Sequence, residues 1–167
     1  MSKRVLVAYA SKTGATAEVA EFMGKVLREA GAEVDVVPIK NVRDLDGYDL
    51  AFVGSAIRVG QWLKEAVSFV EAHKDALSQR PTAFFTVCLT LHEDTPENRQ
   101  TVHAYLDPVR AIFTPQAEGF FAGRMLPARL GLLEKMMMRM MKPPEGDFRD
   151  WDAIRAWTGE TYAQLAG

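Results

Sequence analysis

Hydroxyl side chains near the N-terminus have the spacing of an anion-binding loop. Ser11, Thr13 and Thr16 lie between an apolar run and an amphipathic stretch. Hydroxyls can donate to phosphate oxygens without adding charge, and the backbone N–H groups at a helix N-terminus attract an anion. Gly14 lets the backbone approach a ligand closely. We therefore predict a phosphate-binding loop formed by Ser11, Lys12, Thr13, Gly14, Ala15 and Thr16. The simpler alternative is that the hydroxyls only cap the helix.

Three better-known phosphate sites do not fit this segment. A P-loop needs Gly, four residues and Gly-Lys-Ser/Thr, and dinucleotide folds use Gly-x-Gly-x-x-Gly; neither pattern occurs here. A receiver domain would need acidic residues after the first strand and an Asp at the end of the third. This chain has Ala10-Ser11 and Gly54-Ser55 at those places. The loop is therefore predicted to bind another kind of phosphate ligand.

The remaining reactive side chains indicate neither a hydrolase triad nor a metal site. The single cysteine, Cys88, lies in an apolar run and is expected to pack in the core. His73 and His103 fall on amphipathic stretches and are predicted at the surface, whereas His92 lies in a loop, where it could exchange a proton. These residues therefore predict neither nucleophilic catalysis by a triad nor metal chemistry.

The charge balance excludes a large class of partners. With 20 basic and 22 acidic side chains the net charge is −2, which provides no field to hold a nucleic acid backbone. The longest stretch without a charged side chain, residues 81–92, is far too short to span a bilayer. We therefore expect a cytoplasmic protein with no signal peptide and no transmembrane helix.

Strand-like and helix-like patterns alternate along the chain of 167 residues. Short apolar or alternating runs predict strands at 5–9, 33–38, 50–53, 83–89 and 119–123. Apolar residues at three- and four-residue steps predict helices at 16–30, 63–77, from 96 to about 105, and after Asp150. This alternation predicts a single α/β domain over 1–167, with a parallel sheet covered by helices on both faces.

The second strand is predicted at an edge of that sheet. Glu33-Val34-Asp35-Val36 alternates strictly, whereas the other strand-like runs are apolar almost throughout. Strict alternation suits a strand with one wet face, and continuous apolar runs suit central strands. Five strands with the second at the edge predict the doubly wound order 2-1-3-4-5, in which ligands bind at the carboxyl ends of the strands.

A basic, methionine-rich segment stands between the fifth strand and the last helix. Residues 124–142 contain five basic side chains and one acidic side chain, a local charge of +4, and six of the eight methionines. We predict an inserted helical segment at about 126–146. Within it, residues 130–142 would form an amphipathic helix that can lie on an anionic membrane surface. Packing on its own domain, and contact with a quinone or a second subunit, are the alternatives.

The loop after the first strand resembles that of the flavodoxins. Ser/Thr-x-Thr-Gly-x-Thr at this place is the pattern with which flavodoxins bind the phosphate of FMN, and residues 11–16 match it. The resemblance implies a flavodoxin-like fold with FMN as the cofactor, whose isoalloxazine ring lies between the loops after the third and fourth strands. The residues so implied are Ser55, Ala56, Ile57, Arg58, Val59, Gly60, Trp62, Leu89, Thr90, Leu91 and His92.

Other segments resemble the menaquinone-dependent protoporphyrinogen IX dehydrogenases. They are residues 54–60, Phe121-Ala122-Gly123, the methionine-rich insertion and Asp150-Trp151. This resemblance implies an FMN enzyme that oxidises protoporphyrinogen IX and passes the electrons to a quinone. A flavodoxin acting as a soluble electron carrier, and a flavin-free interaction module on the same fold, are the alternatives.

Two residues of the implied ring site are open to different interpretations. Trp62 could stack on the ring, or it could begin the third helix and pack on the core. Arg58 could be a solvated loop charge. If it lies near the ring, it would stabilise the negative charge gained on reduction and raise the reduction potential. A raised potential suits an enzyme that reduces a quinone better than a low-potential carrier.

Overall fold

Strands and helices alternate through the computed structural model, which describes residues 2–125 and 146–167. Within these ranges the strands are β1 (Arg4–Ala10), β2 (Glu33–Pro38), β3 (Leu50–Arg58), β4 (Gln61–Trp62), β5 (Thr82–Cys88), β6 (Ala117–Ala122), β7 (Arg124–Met125) and β8 (Gly146–Asp147). The helices are α1 (Ala15–Glu29), α2 (Lys64–Ser78), α3 (Pro96–Ala104), α4 (Asp107–Ile112) and α5 (Trp151–Ala166), with 3-10 turns at Ile39–Asn41 and Leu89–His92.

Five parallel strands form the central sheet in the order β2-β1-β3-β5-β6. Counted among themselves these strands have the order 2-1-3-4-5, so the predicted doubly wound fold is confirmed. The residues of β2 alternate at first between exposed and half-buried, whereas every residue of β5 is buried. The alternating pattern therefore identified an edge strand correctly, because in a parallel sheet covered by helices on both faces the central strands are buried on both sides.

Helices cover both faces of the sheet. On one face α1 and α5 pack against the strands through side chains that include Met23, Leu27 and Ile154. On the other face α2 and the α3–α4 region do so through Phe69, Leu77, Leu106 and Val109. Each fully buried side chain of this size contributes roughly 1.5–3 kcal/mol of transfer free energy. The two apolar layers hold the carboxyl ends of the strands, and the loops that follow them, in fixed positions.

One boundary differs from the sequence prediction, and one predicted helix is followed by a second helix that was not predicted. The third strand does not end near Val53 but continues to Arg58, because its last two residues pair antiparallel with β4. Most of the predicted loop at 54–60 is therefore strand. The helix that begins at Pro96 ends at Ala104, and a separate helix starts at Asp107 with Pro108 in its first turn. Proline cannot donate the hydrogen bond that would continue the first helix.

The predicted insertion helix lies outside the described residues. At the base of the insertion, β7 and β8 form a two-stranded ribbon with the pairs Arg124–Asp147 and Met125–Gly146. The chain thus leaves and rejoins the domain at one place, between β6 and α5. Within residues 2–125 and 146–167, the structure has no helix both long and apolar enough to cross a membrane.

Candidate cofactor-binding site

The loop between β1 and α1 leaves the helix N-terminus open to a ligand. Gly14 is the N-cap residue of α1 and has a φ of 93°, in the left-handed region that favours glycine. Its carbonyl accepts from Glu18 N (3.1 Å), but no side chain caps the first turn. The first-turn N–H groups therefore lack a side-chain acceptor, and such groups can bind an anion.

The hydroxyls of this loop differ in their surroundings. Ser11 Oγ accepts from Gly14 N (3.1 Å), which fixes the tight turn before the helix. Thr13 is half-buried, Thr16 is only 1% exposed and Lys12 is exposed. The predicted alternative, in which hydroxyls merely cap the helix, does not describe this geometry. Ser11 instead binds the N-cap residue itself, and the first helical turn is left without a cap.

A tight hairpin at the end of β3 faces the same edge of the sheet. Its two central residues, Val59 and Gly60, have φ values of 51° and 69°. Two consecutive residues with positive φ make the twisted two-residue turn that suits paired strands. A β-branched residue is strained in this region, and Val59 is also 93% exposed. An exposed apolar side chain held in a strained turn is typical of a binding site rather than of packing.

Ser55 and Trp62 hold this hairpin on the sheet. The buried Ser55 Oγ donates to Ala56 O (2.7 Å) and accepts from Leu63 N (3.0 Å). Trp62 is 2% exposed, its Nε1 donates to Thr86 Oγ1 (2.9 Å), and its ring lies 4.9 Å from that of Phe84. Of the two interpretations of Trp62, core packing describes the structure. Stacking on a cofactor would require one face of this buried ring to become exposed.

The loop after β5 is ordered by its own hydrogen bonds. Asn98 Nδ2, from the first turn of α3, donates to Glu93 O (2.8 Å) and Thr90 O (3.3 Å). His92 Nδ1 lies 3.0 Å from Leu89 O. Leu91 is buried in a small cluster with Cys88 and Val102. Leu91 therefore positions the loop, whereas His92 remains half-buried at its surface.

Burial also accounts for Cys88 and qualifies the prediction for the other histidines. Desolvation raises the pKa of the buried Cys88 thiol, which keeps it protonated and suits a packing role. His103 is exposed, as predicted, but His73 is half-buried against the ring of Phe69.

Two cavities lie beside the predicted site residues. The first, of about 470 Å³, brings Lys12 of the phosphate loop together with the hairpin; its lining is Lys12, Arg58, Val59, Gln61, Trp62, Leu63, Lys64 and Glu65. Three cationic side chains face one carboxylate there. The second, of about 380 Å³, lies between the loop after β5, strand β6 and the start of α5, and its lining includes Leu91 and His92. The two predicted ring loops thus line separate cavities in this structure.

A buried charge cluster next to the phosphate loop was missed by sequence reasoning. Arg124 and Arg149, with side chains 6% and 5% exposed, both contact Glu18 Oε2 on the first turn of α1. Arg149 also binds Asp147 (2.6 Å) and lies over the ring of Trp151 (4.7 Å). The cluster fastens the β7–β8 ribbon, and with it the base of the insertion, to the helix whose N-terminus is the predicted phosphate site.

The arginines hold the acidic members of the cluster in their charged forms. Although partial burial by itself would raise the pKa of Glu18, its hydrogen bonds and charge contacts with Arg149 and Arg124 outweigh it and lower that pKa. The hydrogen bond from Arg149 likewise lowers the pKa of Asp147. Arg124 was counted among the basic residues of the insertion, but here its charge is neutralised within the domain.

Solved flavodoxin structures share this fold. A short-chain flavodoxin associated with a bacterial microcompartment matches 99% of this chain and 99% of its own, with a TM-score of 0.65 at 13% identity. A flavodoxin from Streptococcus pneumoniae matches 97% and 99%, with a TM-score of 0.61 at 19% identity. At such identities the likeness establishes the fold alone.

Curated relatives are quinone-dependent dehydrogenases. Protoporphyrinogen IX dehydrogenase [quinone] from Leishmania major is 27% identical over 95% of this chain and 74% of its own length. The Escherichia coli K12 protein of the same name is 23% identical over 94% and 93%. The NAD(P)H dehydrogenase (quinone) of Methylocella silvestris is 28% identical over 53% of this chain and 58% of its own.

The family match covers most of the chain and includes every loop of the site described above. The flavodoxin domain family matches residues 6–152, from β1 to the start of α5. Together with the dehydrogenase relatives, this match implies a flavin cofactor and an oxidoreductase or electron-transfer role. The chain belongs to the flavodoxin domain family.

Proposed function

We propose that the protein is an FMN-dependent oxidoreductase that takes electrons from protoporphyrinogen IX and passes them to a quinone. The observation that carries the proposal is the uncapped N-terminus of α1, flanked by the hydroxyls of the 11–16 loop. It lies at the carboxyl edge of a doubly wound sheet, where ligands of such folds bind. The substrate and the acceptor come from the names of the two protoporphyrinogen IX dehydrogenases.

The residues of the loop fit a flavin phosphate. First-turn N–H groups, the Thr13 and Thr16 hydroxyls and the left-handed Gly14 provide donors and close approach to a dianion. The hairpin after β3 and the loop after β5 would hold the ring. When bound, FMN supplies the two-electron chemistry that none of the side chains around it can perform. The protein's part is to hold the cofactor, position the substrate and manage protons.

The charges beside the site favour an enzyme over a carrier. Lys12, Arg58 and Lys64 line the first cavity with Glu65 as the one acidic residue in its lining. Positive charge near the ring stabilises its reduced form and raises the potential. A raised potential favours taking electrons from an organic substrate. A flavodoxin that acts as a soluble carrier is the second candidate, supported by the fold and by the flavodoxin structures.

An anaerobic steady-state assay tests the proposal. Purified holoprotein is mixed with protoporphyrinogen IX and a menaquinone analogue, and formation of protoporphyrin IX is followed by its fluorescence. We expect turnover that needs both the flavin and the quinone. No turnover with the quinone would contradict the enzyme proposal, and reduction only through a partner reductase would support the carrier.

We also propose that the insertion brings the enzyme to a quinone-containing membrane surface, as a peripheral contact through residues 130–142 on the cytoplasmic side. The sequence alone supports this membrane contact, since residues 130–142 lie outside the described residues. Without Arg124, which pairs with Glu18, the residues from 129 to 142 keep four basic side chains against one acidic one. A second copy of the chain is the alternative partner, which would make the protein a homo-oligomer.

A further inference from the structure

We propose that His92 is the proton acceptor of the site, and that it acts through Nε2. This inference rests on the proposed function, because it assigns to one side chain the proton that a two-electron oxidation of the substrate releases. His92 lies directly after β5, in the loop predicted to flank the ring, and it lines the 380 Å³ cavity.

A hydrogen bond fixes which nitrogen of His92 can accept a proton. Nδ1 lies 3.0 Å from the carbonyl oxygen of Leu89, and a carbonyl can only accept. The neutral ring must therefore carry its hydrogen on Nδ1, which leaves the lone pair on Nε2. Orienting one ring nitrogen through a backbone carbonyl is a general way to prepare the other for chemistry.

The surroundings of Nε2 suit a group that becomes cationic. Glu93 Oε1 lies 3.8 Å from Nε2, so a carboxylate stands beside the nitrogen that would gain the proton, and the side chain of His92 is 27% exposed. The rings of His92 and Phe148 lie 5.4 Å apart, which limits rotation of the imidazole. A base that is oriented, partly exposed and next to a carboxylate can take up and release a proton readily.

Other charged groups around the cavity are engaged with partners. Asp94 and Arg99 pair with each other (2.6 Å). Glu118 pairs with Arg110 (2.8 Å), and Asp150 accepts from Ala153 N (3.0 Å) as the N-cap of α5. None of these groups forms an ion pair with His92, whose partner among the described residues is Glu93.

The proton assigned to His92 comes from the first two-electron oxidation of the substrate. That oxidation breaks one C–H bond at a bridging carbon and the N–H bond of the adjacent pyrrole, and the double bonds of that ring shift to give an exocyclic C=C bond and a C=N bond. With FMN bound as the oxidant, the hydrogen of the C–H bond would leave with both electrons. The N–H proton goes to Nε2 of His92. When the quinone takes the same two electrons and that hydrogen, His92 returns its proton, and a hydroquinone is formed.

The first test does not depend on turnover. Two-dimensional ¹⁵N–¹H NMR of the imidazole rings in the holoprotein reports which nitrogen carries the hydrogen, with His73 and His103 as internal references. We expect the Nδ1–H tautomer for the neutral His92 ring. A dominant Nε2–H tautomer would overturn the proposal, because Nε2 would then have no lone pair to accept a proton.

The second test uses His92→Asn, since asparagine can keep a donor to Leu89 O but lacks the basic nitrogen. We expect flavin content unchanged, kcat/KM for protoporphyrinogen about 100-fold lower at its plateau, and loss of the dependence of kcat/KM on pH that the wild type shows. His73→Asn, on α2 away from both cavities, is the matched control and should behave as wild type.

The outcomes separate this role from the proposed function. A wild-type holoprotein that does not oxidise protoporphyrinogen would overturn the proposed function and this role with it. An active wild type combined with an unchanged pH profile in His92→Asn would overturn the role of His92 alone. Loss of flavin from His92→Asn would make His92 a cofactor-binding residue and would also overturn it as a base.

Discussion

If the proposed function is right, the hydroxyl groups in the 11–16 loop should decide which form of flavin the protein holds. Changing Thr13 and Thr16 together to Ala should weaken FMN binding at least tenfold, because hydrogen bonds to a charged acceptor contribute about 1.5–3 kcal/mol each. Riboflavin has no phosphate, so its affinity should hardly change. Calorimetric titration of the apoprotein with both ligands measures the difference, and the matched Ser variant, which keeps both hydroxyls, is the control. Equal losses for FMN and riboflavin would contradict a phosphate site here.

The role of a single residue could be predicted where its neighbours in the sequence determine that role. The turn between β1 and α1 is such a case, since one strand, one turn and one helix position its residues, while phosphate binding there stays a prediction. The role of Trp62 could not be predicted, because an aromatic residue at the start of a helix can face a ligand or the core. The contact that decides it, to Thr86, comes from a strand 24 residues further along. The same holds for Ser55, whose hydroxyl is bound by Leu63 N.

At the scale of elements, the β3–β4 hairpin is held in a strained turn. Val59→Asn should raise the free energy of unfolding by about 1 kcal/mol, because Asn tolerates the left-handed region that a β-branched residue resists. Urea denaturation of the two proteins checks this. Gly60→Ala is the opposite control: at φ 69°, and with a Tyr105 ring atom 3.4 Å from the added Cβ, it should destabilise. If Val59→Asn is no more stable than wild type, the turn is not strained.

The ribbon at the base of the insertion should loosen in acid. The pKa of Glu18 is lowered in the folded protein, so its stabilising effect is present above its ordinary range and is lost as the pH falls through the lowered value. Glu18→Gln should cost about 1–2 kcal/mol at pH 7, because it leaves two buried arginines short of a partner while Glu18 itself is 45% exposed.

Urea unfolding at pH 7 and at pH 3 measures that effect, and the difference between wild type and Glu18→Gln should shrink at the lower pH. Glu29→Gln is the control, since Glu29 lies on the same helix α1 and binds Arg155 of α5 at an exposed place, so its removal should matter less. A constant difference between wild type and Glu18→Gln across this range would contradict the ionised Glu18 as the anchor of the ribbon.

The strands and helices could be predicted from the local sequence pattern, but the contacts that hold them in place could not. Continuous or alternating apolar runs were enough to predict five strands and the edge position of β2. The hairpin was missed because Val is a poor residue for a positive φ, so no turn signal was visible beyond Gly60. The cluster at Glu18 was missed because Arg149 lies 131 residues away in sequence. From the sequence alone, a charged residue that forms a buried ion pair cannot be distinguished from one that faces solvent.

At the scale of the whole molecule, the insertion should direct the protein to a surface. Wild type should sediment with anionic vesicles more than with neutral ones, and less so at high salt, since each basic residue contributes about 1 kcal/mol at most. A variant with Lys135, Arg139 and Lys142 changed to Gln should lose that preference and keep its flavin. If wild type ignores both kinds of vesicle and stays monomeric, the segment packs on its own domain.

The proposed function requires this protein to accept electrons from an organic substrate and deliver them to a quinone. The most direct measurement is an anaerobic half-reaction experiment that follows the flavin absorbance of the holoprotein. We expect protoporphyrinogen IX alone to bleach the oxidised flavin band, and a menaquinone analogue, added afterwards, to restore it. A band that protoporphyrinogen leaves unchanged, although dithionite bleaches it and the quinone restores it, would contradict the claim and favour a carrier.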